Sequence, residues 1–108
     1  MLKRMNLPPV LQAIFLFITS AALAYVIFFA TSGFFDEDSY YHVQMAHEII
    51  AQRSLAVSFP WLPLAILSAE QFTDHHLLFH LYLAPWVAVA GITGAKLAVM
   101  GIVSAIVV

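Results

Sequence analysis

The side chains able to do acid–base or metal chemistry are gathered in one stretch of this chain. Residues 36–80 hold all six acids, Asp36, Glu37, Asp38, Glu48, Glu70 and Asp74, and all five histidines, His42, His47, His75, His76 and His80. Arg53 is the only basic residue among them. Two groups stand out by spacing. Asp36-Glu37-Asp38 places two aspartates one residue apart, so a tight turn could bring both to one hard cation such as Mg²⁺ or Mn²⁺. The same acids would equally serve as a soluble loop or a favourable helix start. In Asp74-His75-His76-Leu77-Leu78-Phe79-His80, His76 and His80 are i, i+4 and share a helical face, with Asp74 just upstream. That pattern suits a metal site with nitrogen and oxygen ligands, or a histidine base held by a carboxylate. Its simpler reading is that Asp74 caps a helix and the histidines sit in an interfacial zone. His47, Glu48 and Arg53 read as a solvated face, Tyr40, Tyr41 and Met45 as packing groups, and Trp86 as an interface or core residue.

The elements that must position these groups are apolar. The chain has 108 residues, 63% hydrophobic and 9% charged, where a soluble domain averages about 25% charged. Small domains leave much of their area in water, so the natural solvent for this composition is a bilayer. A net charge of −2 argues against nucleic acid, which needs a basic face. The lack of cysteine excludes disulfides and thiolate metal sites. The expected fold is an all-α membrane protein with two complete transmembrane helices, the start of a third, and a long outer loop carrying one or two amphipathic interfacial helices.

The first span is expected at about residues 10–30, an uncharged run of about 20 residues, or roughly 30 Å as a helix. A signal peptide is the rival reading, but this run exceeds the ~7–15 apolar residues of such a segment. Lys3 and Arg4 precede it and put the N-terminus in the cytoplasm, so the acidic loop, about 31–74, faces the periplasm, extracellular space or lumen. A second span is expected at about 75–92, interrupted by Pro85. Gly91-Ile92-Thr93-Gly94-Ala95-Lys96 then forms a turn whose lysine the same rule places back inside. Residues 97–108 begin a third span, too short at 12 residues to cross alone, since about 17 are needed. The chain is therefore expected to be an N-terminal piece of a larger multi-spanning protein, inactive alone and needing its remaining helices as partners. Within the loop, residues 39–53 read as a helix with Tyr41, Met45, Ile49 and Ile50 on one face, capped by Asp38 or Ser39 and lying along the interface. Ser58-Phe59-Pro60-Trp61-Leu62-Pro63 should be extended or turning, with Phe59 and Trp61 at the headgroups, and residues 63–72 a second short helix. Thr73 or Asp74 would cap the next one.

A basic N-terminus, one span, a long outer loop opening on an acidic motif, and further spans resemble the GT-C class of membrane glycosyltransferases. Asp36-Glu37-Asp38-Ser39-Tyr40-Tyr41-His42 is similar to the D-x-D-x-Y-Y-H pattern in the first outer loop of oligosaccharyltransferase catalytic subunits. Asp74-His75-His76 looks like their acid-His-His motif, which in that family belongs to a later outer loop, and Gln44 stands where the family often has an arginine. The resemblance implies transfer of a sugar or oligosaccharide from a polyprenyl-phosphate-linked donor at the non-cytoplasmic membrane surface. It implies a divalent cation, Mg or Mn, held by Asp36, Asp38, Asp74 and His76. It casts Asp38, Asp74 and His75 as catalytic, with Asp74 or His75 as ligand or base. The alternatives are a divalent-metal or proton transporter using the Asp/His cluster, or a non-catalytic membrane subunit.

Overall fold

A computed structural model describes residues 7–58 and 73–108, and these are all-helical, with no strand among them. Three helices follow in order: α1 (Pro9–Phe28), α2 (Glu37–Gln52) and α3 (Leu77–Ile106). α1 and α3 are each long and apolar enough to cross a membrane. Residues 59–72, which carry the expected second loop helix, Phe59 and Trp61, lie outside the described residues, as do Lys3 and Arg4. The chain divides into two compact units, one of residues 1–32 with 96–108, the other of residues 33–95.

In the first unit, α1 starts where proline permits. Pro9 occupies the first helical turn, where its missing N–H costs nothing and its fixed φ already suits a helix. The few polar groups of α1 are satisfied locally: Gln12 Nε2 donates to the Leu7 carbonyl at 2.6 Å, and the Ser20 hydroxyl reaches the carbonyls of Leu16 and Phe17. Its apolar side chains are exposed on most faces, from Val10 and Phe15 to Leu23 and Val26, as a helix in hydrocarbon requires. The last part of α3 packs antiparallel to it. Lys96 Nζ donates to the Thr31 carbonyl at 2.7 Å and lies 5.4 Å from the Phe29 ring centroid, at the far end of α1. Ala105 and Val108 share an apolar cleft of about 350 Å³ with Ala13, Ile14 and Phe17, near the start of α1. Apart from Lys96, the buried residues of this unit are small, Ala24, Ala98 and Ser104, as close helix approach in a membrane favours.

Lys96 corrects one expectation. The positive-inside rule placed it on the side opposite the acidic loop. Its amine instead holds the carbonyl of Thr31, at the end of α1 from which that loop departs. A buried lysine with a carbonyl acceptor and an aromatic face is a packed group, and its charge does not report a cytoplasmic turn.

In the second unit, α2 begins two residues before the expected helix, and its cap is neither Asp38 nor Ser39. Asp36 has extended backbone, φ −128°, ψ 155°, and accepts the Ser39 N–H; Oδ1 takes that N–H and Oδ2 the Ser39 hydroxyl, both at 2.8 Å. Glu37 and Asp38 then lie in the first turn, where the helix dipole favours anions. Arg53 closes the helix in the left-handed conformation, φ 51°. The apolar stripe of α2 turns inward: Met45 and Ile49 are buried with Val57 and pack on Leu77. Full burial of a side chain such as Met45 contributes about 2 kcal/mol.

α3 is broken inside its length. The backbone leaves helical geometry at Ala90 (φ −141°, ψ 17°) and Gly91 (φ 54°, ψ −130°). The expected turn spanned Gly91 to Lys96; the break instead sits at its first residue, and the chain is helical again from Ile92. The axis turns sharply there, because Gly94 lies directly on the carbonyl of Trp86. Eight residues along a straight helix would stand about 12 Å apart. Leu83, Val87 and Ala95 are buried on the inner side of this corner.

Candidate functional site

Asp74, His80 and His42 of the second unit form one hydrogen-bonded chain. Asp74 opens α3: its Oδ1 accepts the His76 N–H at 2.9 Å. Its Oδ2 holds His80 Nδ1 at 2.6 Å, with the two side chains 5% and 0% exposed. The other nitrogen of His80, Nε2, lies 2.7 Å from His42 Nδ1 on α2. The order is thus Asp74, His80, His42, and its last link joins residues 38 apart in sequence. Phe79 and His76 pack their rings edge-on against His42, at 5.1 and 5.2 Å between centroids, and Tyr41 does the same to His80 at 5.8 Å.

Electrostatics bring the first acidic group into the same cluster. Burial pushes the His42 imidazole below its ordinary pKa, the charges of His80 and His76 add to this, and Asp38 and Asp74 oppose it. Asp36 is held below the usual carboxylate range, first by the Ser39 hydroxyl, then by the Ser39 N–H, with a contribution from His42. Burial, with the charge of Asp74 behind it, raises the Tyr41 phenol. Both His42 and Asp36 bind protons less readily folded than unfolded. Their contribution to stability is complete above the ordinary imidazole range; the His42 part is lost as pH falls through that range to its lowered value, and the Asp36 part as pH falls below the carboxylate range.

The hydrogen-bond chain has a defined proton order. An ionised Asp74 accepts from His80 Nδ1–H, which leaves Nε2 of a neutral His80 as an acceptor. His42 then donates its Nδ1–H to that nitrogen and turns a basic Nε2 away from the pair. Only one hydrogen fits between nitrogens 2.7 Å apart, so the two imidazoles together can hold at most one positive charge while this bond stands.

The residues singled out by sequence fall into different places. Asp74 and His76 join the cluster, but Asp74 caps α3 and holds His80 with its two oxygens. Asp36 likewise spends both oxygens on Ser39. Asp38 is exposed, one turn before His42, and acts on it through its charge. His75 is exposed and takes no part in the chain. Among the described residues no group of three or more histidines and acids is arranged to hold a metal ion. His42 was given no role from sequence, while His80 was grouped with Asp74 and His76 as a possible metal ligand or carboxylate-held base. A signal for His80 was present, since a histidine inside an apolar helix must be hydrogen-bonded when buried. Nothing local names His42 as its partner. Comparison with family models, with curated proteins and with solved structures finds no match to this chain.

Proposed function

We propose that this chain supplies the acidic loop of a membrane glycosyltransferase, which moves a sugar from a polyprenyl-phosphate-type donor to a hydroxyl or amide acceptor at the non-cytoplasmic membrane surface. The observation that carries this reading is the His42–His80 hydrogen bond, which joins the D-x-D-x-Y-Y-H stretch to the D-H-H stretch. The step is a single displacement. The acceptor's lone pair forms the new bond to the anomeric carbon, the bond from that carbon to the phosphate oxygen breaks, and the phosphate leaves with the electron pair. The acceptor's proton passes to His42 Nε2. His42 is suited to this because burial lowers its pKa and so favours the neutral form, and a base must be unprotonated to act. The charge it gains is stabilised through His80 by the Asp74 carboxylate, and Asp38 faces it from one turn away. His42 is the catalytic base; Asp74 and His80 are positioning residues.

The test is transfer from a polyprenyl-phosphate-linked sugar by the full-length protein. His42→Gln is expected to lower turnover by about 10²–10⁴-fold, the usual worth of a general base, and Asp38→Asn to lower it less. Unchanged turnover in both variants overturns the reading. A second reading, proton transport, is favoured by the complete burial of His80 between two titratable partners. Proton uptake into proteoliposomes that survives Asp38→Asn but not His80→Ala would select it.

A further inference from the structure

The first segment of α3, residues 77–89, has two faces. His80, Leu83 and Val87 are buried within the second unit. On the opposite side Leu78, Leu81, Tyr82, Trp86 and Val89 are exposed, Leu78 and Val89 at 84% and 87%. Their spacing of three, four and seven residues makes one continuous apolar stripe. By its hydropathy this segment was expected to cross the bilayer as the second span, at about 75–92.

The geometry of the first unit speaks against a crossing there. The chain leaves α1 at Thr31 and re-enters beside it at Lys96, because the Lys96 amine is bonded to the Thr31 carbonyl. Everything from residue 33 to 95 therefore starts and finishes at one end of α1. The turn at Gly91 precedes Lys96 by five residues, a rise of about 8 Å along a helix. A segment that crossed the roughly 30 Å hydrocarbon core would have to end far from Thr31. The part of α3 that runs antiparallel along α1 is the part after the break, from Lys96 to the cleft lined by Ala105 and Val108.

We infer that residues 77–89 form an interfacial helix, and that their exposed stripe is seated on the lipid surface at the same side as α2. The occupant of this face is the bilayer itself. Tyr82 and Trp86, with ring centroids 6.4 Å apart on the stripe, are the side chains that concentrate at the headgroup level, and the connection at Thr31 and Lys96 keeps the segment at the membrane boundary. The only crossing after α1 within the described residues then begins beyond Gly91. This holds whatever reaction the loop supports.

These 108 residues hold no cysteine, so in a full-length protein with any other cysteine replaced by serine, sidedness can be read with single cysteines. The probe is a membrane-impermeant maleimide applied to sealed vesicles of each orientation. His47→Cys marks the loop and Thr93→Cys the turn; both positions are exposed. Labelling of both variants from the same side is the expected result, and labelling from opposite sides overturns the inference. Should the Thr93→Cys variant label from neither side, the tryptophan decides. In a background where Trp61 and any tryptophan outside these residues are replaced by phenylalanine, Trp86 fluorescence should be quenched more by lipids spin-labelled near the headgroup than by those labelled at the acyl end. Strongest quenching by the deep label overturns the inference.

Discussion

Asp74→Ala is expected to destabilise the protein more than removal of any other acid, by about 3 kcal/mol, read as a shift of the unfolding transition in detergent. One carboxylate does two things here: it caps α3 through the His76 N–H and holds the fully buried His80. Leaving a buried donor such as His80 Nδ1–H without its partner costs about 1–3 kcal/mol. The upper end applies, since the α3 cap is lost with it. Asp74→Asn separates the two roles. Its amide oxygen still accepts from His76, so stability falls less. Its NH₂, facing His80 Nδ1, forces that nitrogen to accept. His80 then donates from Nε2 to His42 Nδ1, and His42 must carry its hydrogen on Nε2, with no basic nitrogen left for a substrate. Turnover should therefore fall in Asp74→Asn about as far as in His42→Gln while the protein stays folded. Full turnover in Asp74→Asn would remove the proton order drawn above.

Gly94→Val should be the most damaging change at the corner of α3. Any Cβ at Gly94 would overlap the carbonyl of Trp86, a backbone group on a neighbouring turn that cannot rotate away. Overpacking of this kind costs about 1–3 kcal/mol, occasionally more. The top of that range is expected, with loss of the close approach between the two segments. Gly91→Val differs in cause: its Cβ meets nothing within 4 Å, and the penalty comes from the backbone at φ 54°, where a β-branched residue is strained. Thermal unfolding of the two variants in detergent should rank Gly94→Val below Gly91→Val, and both below the unsubstituted protein. A Gly94→Val variant as stable as the parent would mean that Trp86 and Gly94 are not in contact.

The features that were legible in the sequence are those set by local chemistry. The uncharged run after Pro8-Pro9 is a helix because nothing in it interrupts one, and the period of Tyr41, Met45 and Ile49 marks α2. The break in α3 falls at the glycine that suggested a turn. The misreadings have a common physical origin. The cap of α2 moved to Asp36 because an aspartate three residues before Ser39 can bond both its N–H and its hydroxyl, which outweighs the claim of Asp38. Lys96 was read by its charge alone, but its amine is held by the Thr31 carbonyl and the face of Phe29, contacts that no window of sequence contains. The apolar run of residues 77–89 has the hydropathy of a span, and the interfacial placement inferred for it rests on the return of Lys96 to Thr31. The pairing of His42 with His80 is a tertiary event across 38 residues, so sequence could supply the imidazoles but not their link.

Every part of the functional account depends on that link. Nitrogen-15 NMR of histidine-labelled protein, titrated from pH 8 to pH 4, observes it directly. A shared hydrogen should give a coupling between His42 Nδ1 and His80 Nε2, and at no pH should both rings carry a full positive charge at once. Two rings without that coupling, each carrying a full charge of its own, would contradict the account.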